Sequence, residues 1–283
     1  MAQLLDGRVL SAQVMADAKR RVEKLAEAGV TPGLAVILVG EDPASQIYVR
    51  NKEKACEELG FYSPAYRLPE QTTQEELELL IGRLNADERI DGILVQLPLP
   101  AHLDEAAALA KIAPEKDADG FHLLNCGKLL CGLDGTLPCT PKGILYMLKS
   151  AGIPLAGKEA VVIGRSNIVG KPAAMLLMRE NCTVTVCHSR TQDLASHTRR
   201  ADILVAAVGR ARFVTADMVK EGAAVIDVGI NRVDGKVVGD VDFEAVSQKA
   251  GWITPVPGGV GKMTVCMLML NAVEAAERRA GKR

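Results

Sequence analysis

The chain has 283 residues, of which 48% are hydrophobic and 3% aromatic, and its 34 basic and 35 acidic residues give a formal net charge of −1. This balance favours neither nucleic acid nor an anionic membrane surface as a partner. The first residues include Asp6 and Arg8 instead of a long apolar run, so we expect no signal peptide, no membrane span and a cytoplasmic protein. The length predicts two domains.

Cysteine and histidine usage sets limits on redox and metal chemistry. The seven cysteines include no Cys-x-x-Cys pair, and the four histidines show no ligand-like spacing with one another or with cysteines. An odd number of cysteines in a chain that is not secreted predicts free thiols. We therefore expect no metal site.

The first 120 residues predict a small α/β unit that lacks a glycine-rich phosphate turn. An amphipathic helix spans 11–28. The predicted strands span 34–39, 92–97 and, more weakly, 62–68. Between the strands lie two helices. Ser45 is expected to cap the first, which ends before Gly60, and Thr73 with Glu76 forms a capping box for the second.

Residues 160–172 carry an apolar strand into a glycine-punctuated turn and then into a helix. Gly164 permits a sharp turn, and Gly170 lets the helix approach the strand closely. Ser166 offers a hydroxyl and a backbone N–H, and the start of the helix presents further N–H groups to a phosphate. Because Ser166 replaces the middle glycine of G-x-G-x-x-G, an ordinary strand-to-helix turn is about as probable from this motif alone.

The second half of the chain predicts a doubly wound α/β domain. A connecting helix, with Thr140 as the expected N-cap and Pro141 at its first position, runs to Ser150 and precedes it, and an amphipathic helix from Met263 to about Ala280 follows it. The predicted strands beyond the glycine turn span 183–187, 203–208, 223–228 and 252–256. They are almost wholly apolar and alternate with segments of helical composition such as 216–221, which indicates a parallel sheet covered on both faces.

The end of the second strand in that domain predicts the type of dinucleotide. NAD enzymes place an acidic residue about twenty residues beyond the glycine turn, where it holds the ribose hydroxyls. This chain has Cys-His-Ser-Arg-Thr at 187–191. The Ser189 hydroxyl and the Arg190 guanidinium would bind a 2′-phosphate that an acid would repel, so we predict NADP. The alternative is that Arg190 is only a solvated loop charge.

A lysine on the second helix is a candidate for proton transfer. Tyr48 and Lys52 are four residues apart, so they share a helical face. A lysine partly shielded from water can lose its proton near neutral pH and act as a general acid or base. Spacing alone favours a surface lysine that covers an aromatic ring, and Lys54 has the same claim as Lys52.

Three loops offer further candidates for binding. Gln96 ends a buried strand before two prolines, and its amide would serve a heterocycle or a hydrolytic water unless it bonds only to backbone. Asp119, in the acidic turn 116–120, would accept paired N–H donors from a pterin-like ring, although such turns are usually structural. The segment 254–264 is rich in glycine and proline, which lets backbone approach a flat ligand.

These motifs occur in one order along nearly the whole chain. They are Asp6-Gly7, Ser45-x-x-Tyr48-Val49-x-x-Lys52, Gln96-Leu97-Pro98-Leu99-Pro100, Lys116-Asp117-x-Asp119-Gly120, Pro138-Cys139-Thr140-Pro141, Gly164-Arg165-Ser166-x-Ile168-Val169-Gly170, Asp227-Val228-Gly229-Ile230-Asn231 and Pro255-Val256-Pro257-Gly258-Gly259-Val260-Gly261. Together they resemble the bifunctional methylenetetrahydrofolate dehydrogenase/methenyltetrahydrofolate cyclohydrolases.

The resemblance implies a two-domain subunit with a catalytic cleft between the domains. Residues 1–138 would form an α/β folate-binding catalytic domain, with the C-terminal helix 264–283 packing back on it, and 139–263 a Rossmann-type NADP-binding domain. The implied activity is NADP-dependent oxidation of 5,10-methylenetetrahydrofolate to the methenyl compound and its hydrolysis to 10-formyltetrahydrofolate. The family also implies a homodimer, one-carbon metabolism and purine biosynthesis.

Three alternatives remain open on the sequence. A dehydrogenase without cyclohydrolase activity would keep the whole NADP site. A non-catalytic folate- or nucleotide-binding module would bind both ligands without turnover. A different NADP enzyme on a related fold, acting for instance on a hydroxy acid, would need a cleft acid and base that the sequence does not offer at matching positions.

The resemblance also assigns residues. Lys52, not Lys54, would be the catalytic lysine. Tyr48 and Gln96 would tune it, and Asp119 would grip the pterin. The cofactor positions are Gly164, Arg165, Ser166, Ser189 and Ile230. The substrate positions are Tyr48, Gln96, Leu97, Pro98, Asp119, Pro257, Gly258 and Gly259.

One departure from the family pattern is Lys262, which stands where the family usually has proline. A lysine at the start of a helix opposes the helix dipole unless it pairs with an anion. We therefore expect Lys262 near the glutamate tail of the folate.

Overall fold

The computed structural model describes residues 1–281, in two compact units. The six-stranded unit comprises residues 1–12 and 138–264, and the three-stranded unit comprises 13–137 and the chain from 265 onward. Residues 1–12 therefore group apart from the domain to which the sequence analysis assigned them. Residues 282 and 283, the end of the expected C-terminal segment, lie outside the described residues.

The helices and strands alternate along most of the chain. The first ten elements are β1 (Gln3–Leu4), α1 (Gly7–Glu27), β2 (Leu34–Val39), α2 (Pro43–Leu59), β3 (Ala65–Leu68), α3 (Gln74–Ala86), β4 (Gly92–Val95), α4 (Glu105–Lys111), α5 (Leu123–Leu130) and α6 (Cys139–Ser150). They are followed by β5 (Glu159–Ile163), α7 (Gly170–Arg179), β6 (Thr183–Cys187), α8 (Leu194–Thr198), β7 (Ile203–Ala206), a 3₁₀ turn (Ala216–Met218), β8 (Ala224–Asp227), β9 (Asn231–Val233), β10 (Lys236–Val238), α9 (Phe243–Ser247), β11 (Trp252–Ile253) and α10 (Val260–Arg279).

The three-stranded unit is built on a parallel sheet in the order β3-β2-β4. All six residues of β2 are buried, as expected for a central parallel strand with both faces covered. One core cluster joins Ile37 and Ile93 of the sheet to Leu77 and Ile81 of α3. The last turns of α10 belong to this unit, where Arg279 pairs with the buried Asp91 at 2.6 Å.

The six-stranded unit has a parallel sheet in the order β1-β11-β8-β7-β5-β6. The chain runs outward from β5 to β6 and then returns past β5 to β7, so the strand order reverses between β5 and β7. In doubly wound sheets, ligands bind beyond the carboxyl ends of the strands at this reversal. The observed sheet confirms the predicted doubly wound α/β domain.

Two expected helix caps are wrong. Asp42 caps α2 and accepts the Ser45 N–H at 2.7 Å, so Ser45 lies inside the first turn. A carboxylate followed by proline at the first helical position is the stronger start signal. Thr140 likewise lies inside α6, where its hydroxyl is 3.0 Å from the Thr264 hydroxyl. The capping box of Thr73 and Glu76 is confirmed.

Several element boundaries also differ from the predictions. The helix predicted from residue 11 begins at Gly7, and the helix predicted from Met263 begins at Val260. The weak strand over 62–68 begins at Ala65, and the helical segment 216–221 is only a 3₁₀ turn. The strands that end earlier than predicted stop at Val95, Ala206, Asp227 and Ile253. Beyond each of these four ends, the next residue still donates its N–H to the neighbouring strand before the chain enters a loop.

Within residues 1–281, the helices are too short or too polar to cross a bilayer. The cysteines, all of which lie in that range, form no disulfide bond there.

Candidate active site

The structure distinguishes the two candidate lysines of α2. Lys52 is only 8% exposed, and its Nζ donates a hydrogen bond of 2.9 Å to Oε1 of Gln96. Lys54 points to solvent, where its Nζ lies 4.0 Å from Glu58. Only Lys52 is therefore both withdrawn from water and linked to another polar candidate.

Gln96 makes the backbone contact that the sequence offered as one alternative, and it also accepts a hydrogen bond from Lys52. Its Nε2 donates to the carbonyl of Leu97 at 2.6 Å, which leaves Oε1 to accept from Lys52. Its own N–H donates to Ile37 at 2.8 Å and so continues the sheet one residue beyond β4. The side chain is thus held at the strand end, immediately before the cis Leu97–Pro98 peptide.

The aromatic ring of Tyr48 lies one helical turn before Lys52 and is 42% exposed. A ligand can therefore reach Tyr48 from solvent while Lys52 stays buried. Cys56, one turn after Lys52, is fully buried, and burial raises the pKa of its thiol to about 11. Cys56 accordingly remains protonated and is no nucleophile at neutral pH.

The two acids of the 116–120 turn have different surroundings. Asp117 is 2% exposed and accepts hydrogen bonds from the N–H groups of Gly120, Phe121 and His122 and from Asn125 Nδ2. Asp117 therefore has the structural role that acidic turns before glycine usually have. Asp119 is half-buried on the loop that Asp117 holds.

Sequence analysis missed a second support of this loop. Asn271, buried on α10, donates to the carbonyls of Ala118 and Leu137, both at 2.9 Å. An amide within the apolar run Met267–Val273 was the available signal, because a buried amide must find hydrogen-bond partners.

In the six-stranded unit, both glycines of the 164–170 turn are sterically required. Gly164 follows β5 with a φ of 123°, and a Cβ there would collide with the carbonyl of Ala207. A Cβ on Gly170 would collide with the carbonyl of Gly164. The Ser166 hydroxyl accepts from the N–H groups of Val169 and Gly170 at 3.2 and 3.3 Å, which closes the turn. The resulting cradle lets a phosphate approach the backbone.

The other cofactor candidates of this unit are exposed at the same edge of the sheet. Ser189 and Arg190 follow β6, Ile230 follows β8, and Arg165 lies in the turn after β5. The loop after β6 is folded on itself, since His188 Nδ1 accepts the N–H of Arg190 at 3.2 Å. This arrangement fits a dinucleotide lying across the strand ends.

The loop containing Pro257, Gly258 and Gly259 also belongs to the six-stranded unit. Gly258 has a φ of 109°, and a Cβ on Gly7 would collide with the Gly259 carbonyl, so the loop packs directly on the start of α1. Lys262, an exposed residue in the first turn of α10, donates its N–H to Gly259 at 3.1 Å. The eight substrate candidates therefore come from both units, the other five from the three-stranded one.

Two family models match nearly the whole chain. Residues 5–119 match the catalytic domain, and residues 138–280 the NAD(P)-binding domain, of tetrahydrofolate dehydrogenase/cyclohydrolase. The chain belongs to this family. Its two activities are accordingly those of a dehydrogenase and a cyclohydrolase, as the resemblance predicted. The alternative of a dehydrogenase alone is not favoured.

Individual members of the dehydrogenase/cyclohydrolase family resemble the chain over its full length. The "Bifunctional protein FolD" of Moorella thermoacetica is 60% identical, over 98% of this chain and 99% of its own. The bifunctional FolD enzyme of Campylobacter jejuni has a TM-score of 0.97 at 52% identity, covering 99% and 100% of the two chains. The Trypanosoma brucei enzyme, solved with NADP cofactor and an inhibitor, has a TM-score of 0.94 at 42% identity, covering 99% and 98%.

Within residues 1–281, no three His, Cys, Asp or Glu side chains are grouped so as to hold a metal ion.

Proposed function

We propose that this chain oxidises 5,10-methylenetetrahydrofolate with NADP⁺ and hydrolyses the methenyl product to 10-formyltetrahydrofolate. The observation that carries the proposal is the buried Lys52, hydrogen-bonded to Gln96 within the segment that matches the family's catalytic domain. A buried lysine whose Nζ is held by a neutral amide has a fixed position from which to exchange a proton with a substrate beside it.

The protein's contribution to the oxidation is orientation. Bound NADP⁺ would supply the hydride acceptor for oxidation of the methylene carbon of the folate. Gly164 and Gly170 open the backbone cradle for its phosphates, and the N–H groups at the start of α7 favour their negative charge. The Ser189 hydroxyl and the Arg190 guanidinium hold the 2′-phosphate, which selects NADP over NAD. Arg165, Ser166 and Ile230 complete the contacts with the cofactor.

The hydrolysis depends on Lys52. Water attacks the methenyl carbon, and Lys52 accepts a proton as the tetrahedral intermediate forms and then returns one to the leaving ring nitrogen. Gln96 holds Nζ in place, and Tyr48 contacts the substrate and tunes Lys52.

Folate contacts are assigned to residues of each unit. Asp119 accepts paired N–H donors of the pterin ring. Leu97 and Pro98 follow Gln96 and offer apolar contact to the flat ring. Pro257, Gly258 and Gly259 present backbone to the ligand. In this assignment the turns after β5, β6 and β8 bind NADP, and Lys262 meets the negatively charged glutamate tail of the folate.

The cellular setting belongs to the same proposal. The chain acts in the cytoplasm as a homodimer, and its product supplies one-carbon units for purine biosynthesis. Light scattering of the purified chain measures the mass, and a monomer at assay concentration would contradict the dimer.

The deciding experiment is a paired absorbance assay with methylenetetrahydrofolate, which follows NADPH formation and the methenyl compound together, with NAD⁺ as the comparison. We expect NADP-dependent oxidation followed by accelerated decay of the methenyl compound. Decay at the uncatalysed rate would leave a dehydrogenase alone, and equal or better oxidation with NAD⁺ would contradict the cofactor assignment.

A further inference from the structure

Two acids in the six-stranded unit lie fully buried beside the loops that follow β7 and β8. Asp227, the last residue of β8, is 3% exposed, and Asp240, shortly after β10, is 0% exposed. Asp240 accepts four hydrogen bonds through its two oxygens. The donors are the N–H groups of Val208 at 2.6 Å, Gly209 at 3.0 Å and Arg210 at 2.9 Å, and Asn231 Nδ2 at 2.9 Å.

Asp227 in turn holds the segment that carries Asp240. Its Oδ1 accepts from the N–H groups of Gly229 at 2.9 Å and Asp240 at 2.8 Å, and its Oδ2 accepts from Val241 at 2.9 Å. One acid therefore orients the other, and together they take seven donors from three segments of chain.

Two glycines make room for this pair. A Cβ on Gly229 would collide with the carboxylate of Asp240, and a Cβ on Gly239 would collide with the carboxylate of Asp227. Each acid therefore lies against a glycine of the segment that carries the other acid, where a larger residue would not fit.

Stability alone does not account for the pair. Burial of two carboxylates is expensive unless every oxygen is well bonded. Gly209 and Arg210 are exposed residues, so Asp240 directs two of its hydrogen bonds to the backbone of a loop at the surface. Asp240 fixes the backbone conformation of three successive residues in the loop after β7.

The position of the loops after β7 and β8 indicates which part of a dinucleotide would contact them. They open at the carboxyl ends of β7 and β8, across the β5/β7 reversal from the loop after β6. In the proposed cofactor assignment, the bridging phosphates of NADP lie at the Gly164 turn and its 2′-phosphate lies at Ser189. The opposite half of the dinucleotide then lies over the ends of β7 and β8. That half carries the nicotinamide.

We propose that Asp227 and Asp240 are positioning residues that fix the two loops receiving the nicotinamide half of NADP. The inference rests on the proposed use of NADP. It predicts that loss of Asp240 weakens binding of the whole dinucleotide but not of its adenosine half, because the loops beyond β5 and β6 keep their own hydrogen bonds.

The test is calorimetric titration of Asp240→Asn with NADP⁺ and with adenosine 2′,5′-bisphosphate, which lacks the nicotinamide half. We expect the Kd for NADP⁺ to rise about tenfold or more, the equivalent of one or two of these hydrogen bonds. The Kd for the bisphosphate should change less than about twofold. Asn231→Ala, which removes one donor, should act in the same direction by about threefold for NADP⁺. Hydrolysis of the methenyl compound, which needs no nucleotide, should persist in both variants.

The matched control is Asp234→Asn, which removes the same charge from the exposed turn between β9 and β10. It should bind both ligands as the original chain does. Equal weakening of both ligands by the Asp240 and Asn231 variants, or weakening of neither, would overturn the inference. If Asp240→Asn does not fold, the ratio of the Kd values for NADP⁺ and the bisphosphate, measured on Asn231→Ala, decides the test. Failure of the original chain itself to bind NADP⁺ would instead contradict the proposed function, and the inference with it.

Discussion

The two units present their candidate ligand groups in different ways. The three-stranded unit relies on side chains, above all the Lys52–Gln96 hydrogen bond and the loop that carries Asp119. The six-stranded unit relies on backbone made accessible by glycine, at Gly164 and Gly170. Side chains that carry chemistry can be replaced with little harm to the fold, whereas a backbone cradle is part of the fold itself. Substitutions of the candidate side chains in the three-stranded unit should therefore lower activity, whereas substitutions of the glycines in the six-stranded unit should also lower stability.

The largest expected effect is the loss of hydrolysis in Lys52→Met. Removal of a general acid–base group lowers the rate by about 10²–10⁴-fold. The cyclohydrolase rate should fall by this amount while NADP⁺ binding, measured by titration, stays intact. Lys54→Met is the matched control on the same helix, and its rate should be unchanged. Full cyclohydrolase activity in the Lys52 variant would refute the assignment.

A second contrast between the units concerns a buried acid and an acid paired with a surface arginine. In the six-stranded unit, burial raises the pKa of Asp227 to about 6, against the opposing effect of its three N–H donors, and the nearby Asp240 charge adds slightly to the rise. The folded chain therefore binds this proton more tightly than the unfolded chain does, whose pKa is 3.8. The free energy of unfolding should fall by about 3 kcal/mol as the pH rises from about 4 to about 6, and then level off.

Urea unfolding between pH 4 and 7, compared with Asp227→Asn, measures this fall, and parallel curves for the two proteins would contradict it.

Asp87 in the three-stranded unit should affect the pH dependence of stability in the opposite direction. Its hydrogen bonds with Arg89 lower the pKa to about 2. Its contribution to stability is therefore complete above pH 3.8 and is lost as the pH falls toward 2. The two acids can be separated because their pH windows do not overlap.

The next effect in size should come from Gly170→Ala. The added methyl group would meet the Gly164 carbonyl, and overpacking of this kind costs about 1–3 kcal/mol. We expect both a lower free energy of unfolding and weaker NADP⁺ binding. The control is Gly82→Ala on α3, where a Cβ has open space and should stabilise the chain by roughly 0.5–1 kcal/mol. Equal effects of the two alanines would show that the cradle is not sterically required.

The smallest predicted effect is on cofactor choice. Arg190→Ala should raise the KM for NADP⁺ about tenfold and leave the KM for NAD⁺ unchanged, because only NADP⁺ has the 2′-phosphate. Arg200→Ala, another exposed arginine of the same unit, is the control. Equal changes for the two nucleotides would support the alternative that Arg190 is a solvated charge.

Local sequence determined the elements whose signals are contained in a few neighbouring residues. The apolar run of β2, the capping box of Thr73 and Glu76 and the glycine spacing at Gly164 and Gly170 were all predictable, because period, hydrogen-bond chemistry and backbone sterics act within one or two turns. The order of the family motifs was likewise visible in the chain alone.

Tertiary structure decided what depends on partners distant in sequence. Lys52 and Lys54 are equivalent by spacing. The family resemblance selected Lys52, and the physical difference between the two is the burial of Lys52 beside Gln96, 44 residues away. The pairing of β1 with β11 moved residues 1–12 into the six-stranded unit. The roles of Asp240 and Asn271 depend on hydrogen-bond partners that lie elsewhere in the chain. Burial and long-range hydrogen bonds are properties of the folded packing, and no local pattern encodes which distant group will be the partner.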